Sequence, residues 1–330
     1  MTAAGKYSVL HKFDWNDGIF PDALVQDTNG DFYGITVEGD NSACFNGCGV
    51  IFKLTKAGDF TLLYSFTGGS DGSNPSSLIM DAAGNLYGTA QTSSGDGEIF
   101  ELTAADELKV LYAFSGKDGS QPDHILRDRK GNIYGTTFQG GAHAYGTVFK
   151  LDSSGKETLL YSFKGKSDGT FPDNIARDKA GNLYGTTAQG GYEKGKCDLP
   201  HSPVGCGTVF KINTSGKFSV LFAFNSVNGN DPDGLILDGK GNLYGATMLG
   251  GTGNYGCSGG NCDGVVFKLV AGTNKESTLY NFTGKSDGYF PSGALVEDSN
   301  HNLYGTTVYG GKQSCGGNPG CGVIFEIPAD

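Results

Sequence analysis

No stretch of this 330-residue chain approaches the ~18 unbroken apolar residues that a membrane-spanning helix needs. Histidine occurs only five times and tryptophan once. There is no phosphate-binding glycine loop, His-x-x-x-His pair or zinc-type Cys-x-x-Cys pair. Nucleotide and zinc chemistry therefore have no sequence support. Basic residues are scarce: 24 Lys and Arg stand against 35 Asp and Glu, a formal charge of −11. That field repels phosphate backbones, so no nucleic-acid partner is expected.

Glycine, in contrast, supplies 56 residues, far above the usual share of about 7%. Each interior glycine costs a helix on the order of 1 kcal/mol relative to alanine, so a mainly helical fold is excluded. Hydrophobic residues make up 37% and aromatics 12%, enough for a packed core rather than a disordered chain.

The eight cysteines fall in close couples: Cys44 with Cys48, Cys197 with Cys206, Cys257 with Cys262, and Cys315 with Cys321. An even count in local pairs reads as four short disulfides and an oxidising compartment, secreted or at the cell surface. The alternative, zinc sites in a cytosolic protein, lacks histidines at ligand spacing beside the pairs. The opening Met-Thr-Ala-Ala-Gly-Lys carries no apolar signal core and is read as a mature chain given a new start Met.

Self-similarity organises the whole chain. A Leu-Tyr-Gly-Thr-Thr segment or a close variant recurs six times, with its glycine at Gly34, Gly88, Gly135, Gly185, Gly245 and Gly305. Ahead of it lies Pro-x-x-Leu-x-x-Asp-x-x-Gly-Asn, as in Pro232 to Asn242. Behind it comes Gly-Thr-Val-Phe-Lys-Leu, as in Gly146 to Leu151, and then a run such as Leu159-Leu160-Tyr161-Ser162-Phe163. The repeat prolines, Pro21, Pro75, Pro122, Pro172, Pro232 and Pro291, are 54, 47, 50, 60 and 59 residues apart, and 60 remain to wrap round. Four short β runs per unit at this period are the signature of a propeller. The expected fold is an all-β six-bladed β-propeller with four-stranded blades, a single domain over residues 1–330. Its ring is closed by Ser8 to Phe13, a lone copy of the fourth run, completing the last blade. The runs are called A to D from the axis outwards.

These motifs closely resemble the Gloeo-Verruco (GloVer) tandem repeat of bacterial exported proteins, across all six units. The Asp-x-x-Gly-Asn-Leu-Tyr core is also similar, more loosely, to NHL-type propellers. The resemblance implies an exported or surface-anchored propeller and carries over no catalytic residue. Departures from the repeat include Asn228-Gly229 in place of Asp-Gly and the short Gly95-Asp96-Gly97 loop.

The A–B turn aspartates, Asp81, Asp128, Asp178, Asp238 and Asp298, read as turn formers. Function is expected on the face formed by the D-to-A connections and the B–C loops, where all eight cysteines fall. Units with cysteines are the long ones, so length was added there and then stapled. After each proline the A strand begins Asp22, Ser76, Asp123, Asp173, Asp233 and Ser292. Two readings compete for the four carboxylates. They converge near the axis and require a cation, calcium by its preference for oxygen, or raised pKa values; or each caps its own turn. His124 is the candidate for proton transfer, with Asp123 and Asp173 as candidate catalytic acids. Arg127 and Arg177 occupy matching positions able to hold an anionic group. The aromatics Trp15, Phe171 and Tyr289, with the amides Gln139 and Gln189, are materials of sugar recognition. The expected role is binding of an extracellular carbohydrate or small-molecule ligand by a monomer. A polysaccharide- or glycoside-cleaving enzyme and a scaffold for protein partners are the alternatives.

Overall fold

The computed structural model describes residues 8–40, 43–191, 197, 205–253, 263–311 and 320–328. It is a six-bladed β-propeller of antiparallel sheets. The first sheet runs β1 (Ile19–Gln26), β2 (Phe32–Glu38), β3 (Val50–Leu54), β4 (Phe60–Ser65), and the second β5 (Leu78–Met80), β6 (Leu86–Ala90), β7 (Glu98–Leu102), β8 (Leu108–Ala113). The third holds β9 (Ser120–Arg127), β10 (Ile133–Gln139), β11 (Thr147–Leu151) and β12 (Glu157–Ser162). The fourth holds β13 (Thr170–Arg177), β14 (Leu183–Gln189), β15 (Thr208–Ile212) and β16 (Phe218–Ala223), and the fifth β17 (Asn230–Leu237), β18 (Leu243–Leu249), β19 (Val265–Val270) and β20 (Lys275–Asn281). The sixth has three strands, β21 (Tyr289–Glu297), β22 (Leu303–Tyr309) and β23 (Ile324–Ile327). No helix among the described residues is long and apolar enough to cross a membrane.

By packing, the chain divides into two compact units, residues 1–135 with 149–158, and residues 136–148 with 159–330. In the first unit the core gathers Ile35, Phe66, Leu86 and Phe100, with a second cluster around Tyr87, Phe114 and Phe149. In the second it gathers Phe224, Leu243 and Phe267, and then Phe282, Leu295 and Leu303. Each junction between consecutive blades repeats one contact. The phenylalanine ending a D run meets the C-strand phenylalanine of the next blade edge to face, as in Phe66–Phe100, Phe114–Phe149, Phe163–Phe210, Phe224–Phe267 and Phe282–Phe325, with centroids 4.9–5.3 Å apart.

Residues 8–13, expected as the fourth strand of the last blade, take no strand pairing. Their side chains nevertheless keep the packing of a D run. Phe13 stands edge to face with Phe52 at 5.0 Å, and His11 stacks on Phe60 at 4.2 Å. Ring packing is retained here without a ladder of backbone hydrogen bonds.

The turn aspartates behave as the sequence indicates. Asp81 Oδ1 accepts hydrogen bonds from the Ala83 and Asn85 main-chain N–H groups, and Tyr87 donates to Oδ2. Burial opposes ionisation of Asp81, but these donors outweigh it and hold the carboxyl below its ordinary range.

Candidate functional site

The site begins with a strained residue repeated in every blade. The residue before the repeat proline is Phe20, Asn74, Gln121, Phe171, Asp231 or Phe290, and all six have φ between +48° and +58°. A residue preceding proline ordinarily adopts an extended backbone, so something must hold it. For five of the six the holder is the B–C loop of the preceding blade. Asn74 N–H donates to Cys48 O, Gln121 to Asp96 O, Phe171 to Tyr145 O, Asp231 to Cys206 O and Phe290 to Asp263 O, over 2.8–3.3 Å.

Two of those acceptors are cysteines. Cys44 is bonded to Cys48, and Cys197 to Cys206, while Cys321 is also disulfide-bonded. There are no free cysteines among the described residues. Cys257, Cys262 and Cys315 lie outside the described residues. The Cys44–Cys48 and Cys197–Cys206 bridges thus sit at the carbonyl that fixes the entry of the next A strand.

In the first unit this arrangement brings Asp22, Asp123 and His124 together. Asp123 Oδ2 lies 3.5 Å from His124 Nδ1. The Asp22 carboxyl is pushed up, first by loss of water and then by Asp123, with His124 opposing. The main chain at Asp123 is fixed by Thr89, whose Oγ1 donates to Asp123 O at 3.2 Å and also meets Ser76 Oγ at 2.8 Å.

In the second unit Thr136 Oγ1 donates to Asp173 O in the same manner. Asp233 is committed to its neighbour, its Oδ2 accepting from Ser292 Oγ and from Gly293 N–H, both at 2.9 Å. Beside it, burial and then the Asp233 charge push Asp231 up to about 6. Sequence reasoning passed over Asp231, although it is the one acid among the six pre-proline residues.

The aromatic candidates divide. Phe171 stacks on Phe138 with centroids 4.8 Å apart, and Tyr145 stands edge-on to it at 6.5 Å. Trp15 is 50% exposed ahead of β1. Tyr289 is only 6% exposed and stacks on Tyr309. Gln139 and Gln189 end β10 and β14, where their carbonyls accept from Thr137 and Thr187 Oγ1. Arg127 ends β9 at the A–B turn, over the Tyr87 ring at 4.7 Å and 3.6 Å from Asp81. Arg177 holds the matching last place of β13, paired with Leu183.

A second residue missed by sequence is Glu98, 2% exposed, with Oε1 lacking a hydrogen-bond partner. Burial and then Asp71 push it up to about 7. The signal was available: blade two reads Ala90 and Glu98 where blades three and four pair Thr137 with Thr147 and Thr187 with Thr208, each pair at 2.8 Å.

Six sheets of one repeated sequence unit, with disulfides in the B–C loops, define a tandem-repeat propeller. The chain belongs to the Gloeobacter/Verrucomicrobia repeat family, whose model matches residues 1–197, 90–258 and 204–330. No curated protein sequence matches it. Among solved structures it is similar to a catalytically inactive virginiamycin B lyase from Staphylococcus aureus with quinupristin, at TM-score 0.61 and 14% identity over 96% of this chain and 85% of that one. It is also similar to a gluconolactonase from Xanthomonas campestris, at 0.54 and 14% over 95% and 87%. The GH74 enzyme of Niastella koreensis matches at 0.59 and 17% over 87% of this chain and 44% of that one. At these identities the likeness establishes the fold.

Proposed function

We propose that this propeller is exported and binds an extracellular carbohydrate on the face carrying the D-to-A connections and B–C loops. The observation that carries the reading is the Phe138–Phe171–Tyr145 group, with its strained central ring tied to the Tyr145 carbonyl. Aromatic faces fixed by the main chain suit the CH-rich faces of sugars, and exposed Gln139 beside them offers an amide to hydroxyls. The disulfides support an oxidising compartment. A gluconolactonase of the same fold, important in glucose secondary metabolic pathways, supports the choice of ligand class. Repetition around the ring would let weak contacts add through multivalency.

The second reading is a polysaccharide- or glycoside-cleaving enzyme, and it rests on Asp22, whose carboxyl is pushed up beside the Asp123–His124 pair. There Asp123 would serve as an acid, with His124 moving a proton. The carboxylates are hard oxygen donors of the kind calcium takes, and His124 adds a nitrogen that calcium does not need.

Variants separate the two. Replacing Phe171→Ala and Tyr145→Ala should abolish retention on a bound polysaccharide, while Asp123→Asn with Asp173→Asn leaves retention intact. Retention that survives the aromatic changes overturns the binding site. Loss of new chain-end release in the Asn variant would establish the enzyme instead.

A further inference from the structure

A pocket of about 330 Å3 opens in the second unit, at the A–B turn end of blades five and six. It lies at the opposite strand ends from the loops just described. Two residues shape it, one at a position that varies between blades and one that departs from the repeat.

The first is Glu297, which ends β21 where β9 ends in Arg127. Arg127 reaches back over the tyrosine of the preceding blade and toward its turn aspartate, filling the junction. Glu297 faces the corresponding Tyr244 and Asp238, and a carboxylate gains nothing from Asp238. It turns onto His301 of its own hairpin, Oε1 to Nδ1 at 2.6 Å, and the space stays open.

The second is His301 itself. It stands where the other A–B turns carry glycine, and it holds φ +69°. Glycine adopts that conformation freely, whereas a histidine there is strained, and strain of this kind persists where a side chain is used.

The charges in the pocket are not balanced in use. Asp238 is occupied by its own turn, accepting from Lys240 N–H, Asn242 and Tyr244 OH. Glu297 is occupied by His301. Lys240 and Lys268 also line the pocket, Lys268 lying 5.2 Å from the Tyr244 ring centroid. Leu279 and Ile327 supply apolar wall. Two ammonium groups and an imidazole beside apolar side chains, in a volume of small-molecule size, fit a compact organic anion.

We propose that this pocket is a second ligand site, for a small carboxylate carried on an apolar or aromatic body. The test titrates the full chain with sodium benzoate at constant ionic strength, following the His301 imidazole and Leu279 methyl signals by NMR. Saturable shifts are expected in the wild type. Glu297→Arg, which restores the side chain blade three uses, should weaken them at least tenfold. His301→Gly should weaken them severalfold while the melting temperature holds or rises, because strain is relieved. Absence of saturable shifts in the wild type, or unchanged affinity in Glu297→Arg, overturns the site. Equal affinity for inorganic phosphate overturns the organic class.

Discussion

The ring of Phe149 lies directly over Gly135: a β-carbon at Gly135 would stand 2.5 Å from Phe149 Cζ. The same overlap recurs in every blade, from Gly34 under Phe52 to Gly305 under Phe325. The glycine of the B strand and the phenylalanine of the C strand are one device, since the missing side chain admits the ring that reaches the next blade. Gly135→Ala should cost about 1–3 kcal/mol by overpacking, and Phe149→Ala about 3–5 kcal/mol by cavity formation. The double variant should lose clearly less than the sum, as measured by chemical denaturation. Additive losses would show that the two positions are independent.

Glu98 makes blade two sensitive to pH. Its carboxyl is pushed up to about 7, by burial first and Asp71 second; Tyr64, which donates to Asp71, is the other titratable group in reach. A raised carboxyl favours folding below the unfolded value near 4.5, and that contribution is lost as pH climbs through 7. Melting temperature should therefore fall between pH 5 and pH 8, and Glu98→Gln should flatten the fall by a few degrees. An identical pH profile in the variant would remove Glu98 from the account.

The departure at Asn228 has a neighbour that explains it. Where other blades carry the aspartate of Asp-Gly, Asn228 hydrogen-bonds Glu276 of the next blade, a carboxyl that burial pushes up and that Thr278 and Asn228 partly restrain. Asn228→Asp would set two carboxylates together. It should lower stability by about 1–2 kcal/mol at pH 7, with the loss shrinking near pH 4. Equal loss at both pH values would contradict the charge argument.

The bridge at Cys44–Cys48 should act locally. Loop closure over so few residues contributes about 2 kcal/mol, and the sharper effect falls on Asn74, whose N–H is held by Cys48 O at 2.9 Å. In Cys44→Ala/Cys48→Ala the Asn74 amide should exchange with solvent many times faster, while amides in β11 keep their protection. Unchanged exchange at Asn74 would separate the disulfide from the strained entry.

Much of this architecture was legible because it is written six times: prolines, turn aspartates and the Gly–Phe device each repeat at matching positions. What was not legible is where tertiary contacts override a local rule. Phe171 before Pro172 should be extended, yet the Tyr145 carbonyl holds it left-handed. Residues 8–13 copy the fourth run without forming its ladder, since side-chain packing on Phe52 and Phe60 is the part the copy preserves. The four axial aspartates looked equivalent in sequence, but Asp233 serves Ser292 and Gly293 while Asp22 and Asp123 gather about His124. Glu98, Asp231 and Glu297, acids at positions where the other blades carry none, are where chemistry departs from scaffold.

The most direct test of the central claim is one incubation of the protein with plant, algal and bacterial polysaccharides, scored in the same tubes for depletion of protein onto polymer and for release of new chain ends. The account predicts depletion on at least one polymer without chain-end release, lost in Phe171→Ala with Tyr145→Ala. Depletion on none, or chain-end release that disappears in Asp123→Asn, would contradict it.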